Sequence, residues 1–237
     1  PFLQAISHYY EGLALFNTNR PSSETAFLRA DTLLSSFNFK VAFLFRTKAW
    51  GKYGVLQQMK DDEKAFIDIL LNKAIPLARL AGDSAYIGKS YLAMGIVFKN
   101  EGQFDKPETY IANAIHIYRQ ANVAVTEQVN AYHTIAENYI LSQKYPLAKT
   151  MLDSSRALLA PTPESPGMLD YYAAEGMYFT VTEQFDKSLT SIEKGVRLAQ
   201  KLQLIQLIVP SRESILAYQK YKEKITALAA EINSQYG

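Results

Sequence analysis

An all-α fold of stacked helix pairs is what three features of this sequence predict. The first is a repeating aromatic column: Trp50, Tyr91, Tyr132 and Tyr172 stand 41, 41 and 40 residues apart. A period between about 20 and 50 residues marks an array of like units. The second is that other columns keep the same phase. Gly54, Gly95, Ala136 and Gly176 come four residues after the aromatic, and Gln57, Phe98, Tyr139 and Phe179 three residues after that. Phe104, Tyr145 and Phe185 align after a turn. Further on Leu71, Ile111, Leu152 and Ile192 align, then Ala74, Ala114, Ser155 and Gly195, then Leu77, Ile117, Leu158 and Leu198. The third is helical spacing inside each unit, which puts the aromatic and its partner seven residues on along one face. The small residue between them lets a second helix come close. One such pair cannot bury its apolar stripe alone, whereas stacked pairs can. The expectation is an α-α superhelix of about five pairs plus a long last helix, forming one domain over 1–237.

Taken in order, residues 1–41 read as a degenerate first pair. A helix covers the first sixteen residues with Gly12 in the small column, and a second runs from Ser22-Ser23-Glu24 to about Phe37. Pro21 closes the loop between them and Asn38 to Lys40 connects onward. Residues 42–83 form the next repeat: Asp61-Asp62 opens its second helix, Pro76 should kink it, and Gly82-Asp83 ends it. Residues 84–124 are the clearest copy. Its first helix runs to about Asn100, its turn is Glu101-Gly102-Gln103, and its second helix starts at Asp105. Asp105 should cap that helix, with Pro107 tolerated in the first turn. Repeats over 125–167 and 168–204 follow. The breaker-rich run Pro161 to Gly167 is an inter-repeat loop, because the phase survives across it.

After Leu202 the pattern changes. Pro210 suits the first turn of a helix continuing to about Gln235, with Ile215, Tyr218, Ile225, Ala229, Ile232 and Tyr236 at helical spacing. This 205–237 segment reads as a capping helix with a polar outer face. Its alternative is the start of a signalling coiled coil that continues past Gly237 and pairs two copies of the chain.

The clearest copy resembles the tetratricopeptide repeat, through Tyr91, Met94-Gly95, Phe98, Gly102, Phe104 and Ala114. The resemblance covers residues 42–202. It departs at Pro107, where that family prefers alanine, and in a period longer than the family's own. Long repeats of this kind resemble those of bacterial sensor and regulator proteins. The resemblance implies that the first helices line a concave groove for a protein or peptide segment. Groove candidates by alignment are Lys89, Leu92, Ile96 and Lys99 in one copy, Asn130, His133 and Glu137 in the next, and Asp170 and Met177 in the last. The family's carboxylate clamp needs Lys and Asn where Leu92 and Ile96 stand, so this groove is not expected to be such a clamp.

Chemistry is sparse. No phosphate loop, dinucleotide fingerprint, H-E-x-x-H or G-x-S-x-G occurs. His8, His116 and His133 are scattered without metal-ligand spacing, and Cys is absent. Acidic pairs such as Asp61-Asp62 sit at helix starts, where the dipole favours them. No enzyme activity, cofactor or metal is expected. A net charge of +2 gives no case for nucleic acid, and the cluster Arg46, Lys48 and Lys52 reads as a solvated edge. No apolar run approaches the roughly 20 residues of a membrane span. The chain opens on Pro1, so a piece of a longer protein is expected. The resemblance to bacterial sensor and regulator repeats implies the extracytoplasmic part of a membrane-anchored signalling or transcription regulator, periplasmic rather than cytoplasmic. The alternatives are a cytosolic peptide-binding regulator and an adaptor without a small ligand.

Overall fold

The computed structural model describes residues 1–204, so the expected helix after Pro210 lies outside the described residues. The described residues are helices joined by short turns and pack as two units, divided between Glu127 and Gln128. The first unit holds α1 (Phe2–Leu15), α2 (Arg20–Leu34), α3 (Lys40–Gln58), α4 (Glu63–Ile69), a π turn (Leu70–Ala74), α5 (Ile75–Ala81), α6 (Ser84–Asn100) and α7 (Asp105–Gln120). Helix α8 (Val125–Leu141) contains the division in its first turn. The second unit continues with α9 (Tyr145–Leu159), α10 (Pro166–Val181) and α11 (Phe185–Lys201). The loop from Pro161 lies within the second unit.

Within each unit consecutive helices pack antiparallel as pairs, and the second helix of one pair packs on the first of the next: α2 on α3, α5 on α6, α9 on α10. The small column is what closes the pairs. A Cβ on Gly95 would lie 2.5 Å from Ile111 Cγ1, and one on Gly176 2.9 Å from Ile192 Cγ1. A Cβ on Gly12 would lie 2.6 Å from the Phe27 ring. The close approach brings second-helix hydroxyls onto first-helix carbonyls. Ser23 Oγ donates to the Gly12 carbonyl at 2.7 Å, and Ser188 Oγ to the Gly176 carbonyl at 2.9 Å.

The turn inside each of the four pairs after the first is one device. The N–H of Asp62, Gln103, Lys144 and Gln184 donates to the carbonyl of Gln57, Phe98, Tyr139 and Phe179, at 3.2, 2.9, 2.8 and 2.8 Å. These acceptors are one of the sequence columns. The closure requires a left-handed residue just before the donor. Asp61, Gly102, Gln143 and Glu183 have φ of 60°, 74°, 60° and 60°. Only one of the four is glycine, so the others carry strain of order 1 kcal/mol. Glu183→Gly should therefore raise the thermal midpoint by about 2 °C, after the extra chain entropy of glycine is subtracted. Gly102→Ala should lower it by a similar amount. Differential scanning calorimetry of the two variants checks the opposite signs.

The second helix of the 42–83 repeat corrects the alignment. Leu71 was placed in the column of Ile111, but Leu71 is 37% exposed and Leu70, at 3%, fills the buried position. Trp50 to Leu70 then spans the same distance as Tyr91 to Ile111, while Ala74 and Leu77, both buried, fall one residue late. The π turn Leu70–Ala74 absorbs that extra residue, with Ile75 N–H donating to the Leu70 carbonyl. Pro76 follows directly. Its ring would crowd the preceding turn of a regular α-helix, and the wider π turn provides the room.

Caps differ from expectation in two places. Helix α2 starts at Arg20, earlier than Ser22, because the Asn19 side chain accepts from Ser22 N–H at 3.2 Å. Asp105 is the first residue of α7 and not its cap; that position falls to Phe104. Asp62 does cap α4, accepting from Ala65 N–H at 2.9 Å. Gly82, at φ 74°, ends α5, and Asp83 caps α6 through Tyr86 N–H at 2.9 Å.

Candidate functional site

The groove positions divide by burial. Lys89, Asn130, Asp170 and Met177 are exposed, and Ile96, Lys99 and Glu137 are half-buried. Leu92 and His133 are 4% and 6% exposed and belong to the interior. Leu92 is one residue past its aromatic, and the wide buried face of α6 takes it in with Ser90, Met94 and Val97. His133 Nε2 lies 2.7 Å from Ser155 Oγ on α9, and its ring centre is 6.2 Å from that of Tyr171 on α10. Burial lowers its pKa to about 4, so it is neutral at physiological pH. A neutral imidazole held this way ties three helices together.

On the surface two pairings stand out. Lys89 on α6 forms an ion pair with Glu127 in the first turn of α8, at 2.7 Å. On the first helices of the second unit, Asp170 of α10 faces Glu137 of α8. Burial, and then the neighbouring Glu137 charge, push the Asp170 carboxyl above the usual carboxylate range. Met177, 38% exposed, stands two turns further along α10. Helix α10 thus carries an exposed carboxylate and an exposed thioether.

A second concavity was not visible among the groove candidates. It lies between α9, α10 and α11, has a volume of about 440 Å³, and contains a buried carboxylate. Glu175 is 9% exposed. Its Oε1 accepts from Tyr171 Oη at 2.5 Å and its Oε2 from Ser191 Oγ at 2.6 Å. Burial, and then the Glu175 carboxylate, push the Tyr171 hydroxyl pKa up. Met168, Leu159, Tyr172 and Phe179 supply apolar walls, and exposed Arg156, Lys187 and Lys194 stand at the mouth. The equivalent crevice between α5, α6 and α7 is lined by Ile87 and Tyr91 where this one has Met168 and Tyr172, and by Asn113 where it has Lys194. The place of Glu175 is there taken by Met94 and that of Ser191 by Tyr110, whose ring stacks on Phe98 at 5.3 Å. The signal was present in the sequence as two broken columns: Tyr53, Met94, Ile135, then Glu175; Ile69, Tyr110, Met151, then Ser191.

Among the described residues no group of three His, Asp or Glu side chains is placed to hold a metal ion. Nor is any described helix long and apolar enough to cross a membrane.

Neither a protein-family model nor a curated protein sequence matches the chain. Solved structures do match. The TPR-like repeats of a Podosopora anserina kinesin light chain superpose with a TM-score of 0.64 at 12% identity, over 86% of this chain and 98% of that one. The protein thus has the tetratricopeptide-like helical-repeat fold. Two Rap proteins share it. The apo form of RapI matches with a TM-score of 0.66 at 11% identity, over 95% of this chain and 65% of that one. The Rap conjugation gene regulator of plasmid pLS20, solved with the Phr* peptide, matches with a TM-score of 0.58 at 16% identity, over 97% of this chain and 67% of that one. The chain spans about two thirds of the length of either Rap protein.

Proposed function

We propose that this chain is a non-enzymatic domain that binds a protein or peptide segment and serves a bacterial signalling or transcription regulator. The observation that carries this reading is the division of labour among its residues. Recurring positions are spent on packing, while Lys89, Asn130, Asp170 and Met177 stand on the surface of first helices without recurring. In the second unit the exposed Asp170 puts a carboxylate on this face, so the partner segment carries a basic side chain there. The pLS20 regulator, solved with a peptide on the same fold, supports a peptide as ligand.

Panning a random dodecapeptide library on the chain tests this. A recurring motif rich in Lys or Arg is expected, and the winning peptide should raise the melting midpoint because it binds the folded state. Asp170→Lys should weaken that peptide about tenfold or more, the worth of one charge-assisted contact. Absence of any enriched motif would sink the reading.

For location, the first reading is extracytoplasmic, with the repeats outside the membrane and a span beyond the last helix. A second reading is a cytosolic peptide-binding regulator, which the pLS20 gene regulator solved with a peptide on this fold supports as to ligand and role. Alkaline phosphatase fused to the full-length gene product separates them, being active only in the first.

A further inference from the structure

We infer that the crevice between α9, α10 and α11 is a second binding site, specific for a dipolar peptide group: a lysine or arginine side chain with a carboxylate close by, of which a C-terminal lysine is the most compact form. The inference does not depend on the Asp170 face.

Glu175 is costly where it stands. A buried carboxylate held only by neutral hydroxyls is expensive, because two hydrogen bonds do not replace its hydration. Tyr171 and Ser191 give it one hydrogen bond each. No cation lies within 4.0 Å of it among the described residues, although carboxylates elsewhere there, such as Asp31, Glu24 and Glu127, are paired. Packing alone does not call for this residue, since Tyr53, Met94 and Ile135 serve at the same place in the other repeats. Nor does packing call for Ser191, where Ile69, Tyr110 and Met151 stand elsewhere. The exchange of a large side chain for serine leaves the space, and the exchange of an apolar one for glutamate charges its floor.

Charge then selects the ligand. The mouth carries Arg156, Lys187 and Lys194, and among the described residues Glu175 is the one acidic side chain lining the crevice. A simple anion would be drawn to the mouth and repelled at the floor, and a simple cation the reverse. A group with its cation inward and its carboxylate outward satisfies both. The walls of Met168, Leu159 and Tyr172 fit the methylene stem of a lysine or arginine. Lys187 is positioned for the outer contact: it donates to Gln184 Oε1 at 2.7 Å and lies 5.6 Å from the centre of the Phe179 ring.

The test uses the methyl carbons of the five methionines, of which Met168 alone lines this crevice. The intact chain, carrying 13C-methyl methionine, is titrated with N-acetyl-Gly-Gly-Lys bearing a free carboxylate. The expected result is a saturating shift of the Met168 methyl at about 1 mM, the modest affinity of a tripeptide. The C-terminal amide and the norleucine analogue should each bind about tenfold more weakly or worse. Glu175→Gln should abolish the preference for lysine over norleucine. The double variant Lys187→Ala, Lys194→Ala changes only exposed residues and should abolish the preference for acid over amide, which keeps the test open if Glu175→Gln fails to fold. Asp170→Lys should change neither preference. A Met168 signal that does not move, or that moves equally with all three tripeptides, overturns the inference; the second outcome leaves an apolar slot and nothing more.

Discussion

Gly95→Leu is expected to lower the melting midpoint by roughly 10 °C, from overpacking of about 3 kcal/mol or more at 2–4 °C per kcal/mol. A Cβ at this position would already lie 2.5 Å from Ile111 Cγ1, 3.1 Å from its Cδ1 and 3.6 Å from its backbone nitrogen. Ile111 is fully buried and β-branched on a helix, so it has no other comfortable rotamer. Helix α7 must therefore move off α6 or the leucine must leave the interface. Either way the pair opens, and the α3–α5 pair, whose α5 packs on α6 within the first unit, loses support, because stability in such arrays is local and passes between neighbours. Gly95→Ala should show the same sign at a smaller size. A midpoint unchanged by leucine would show that the two helices do not meet at this residue.

Acid should weaken the second unit through His133. Its pKa in the folded chain is about 4, below the ordinary 6.5, because burial disfavours the imidazolium. Below pH 6.5 the unfolded chain therefore binds a proton that the folded chain refuses. Stability falls as the pH drops from about 6.5 towards 4, then levels off on this group's account. A gap of this size corresponds to about 3 kcal/mol at the acid end. His133→Leu fills the site without a titrating group, although it leaves the Ser155 hydroxyl without its 2.7 Å contact. Midpoints measured from pH 7 to pH 4 should converge: the variant is lower at neutral pH and loses less on acidification. Parallel curves for the two proteins would remove His133 as the cause.

The fold was legible because packing recurs. Aromatic, small and aliphatic residues at helical spacing had to repeat in phase, and the Gly95–Ile111 and Gly176–Ile192 contacts are the result. What escaped were features in which the backbone adjusts to the sequence. The left-handed turn residue is glycine at 102 but Asp61, Gln143 and Glu183 elsewhere, so residue type did not mark it. The extra residue before Ala74 was visible as a spacing, and Leu71 was put in the place of Leu70 because a π turn leaves no signature beyond that one insertion.

The groove was legible only in part. Alignment says which positions lie on a first helix, and not how wide a face its neighbours cover, so Leu92 and His133 were counted outward when they point inward. The crevice around Glu175 was missed for a different reason. It is defined by departures from the columns, and the columns were what the reading sought. A polar residue replacing a large apolar one in a packing column is a sharper sign of a site than a polar residue where polarity is free.

The central claim is that recurring residues hold the fold and non-recurring ones bind the partner. It is tested most directly by measuring, on the same two variants, the melting midpoint and the affinity for the peptide selected by panning. Gly176→Val should lower the midpoint by several degrees, since a Cβ there already lies 2.9 Å from Ile192 Cγ1. Asp170→Lys should leave the midpoint unchanged or raised, because it removes a repelling carboxylate beside Glu137, and should weaken the peptide about tenfold or more. A peptide that binds Asp170→Lys as tightly as the parent chain would contradict the account.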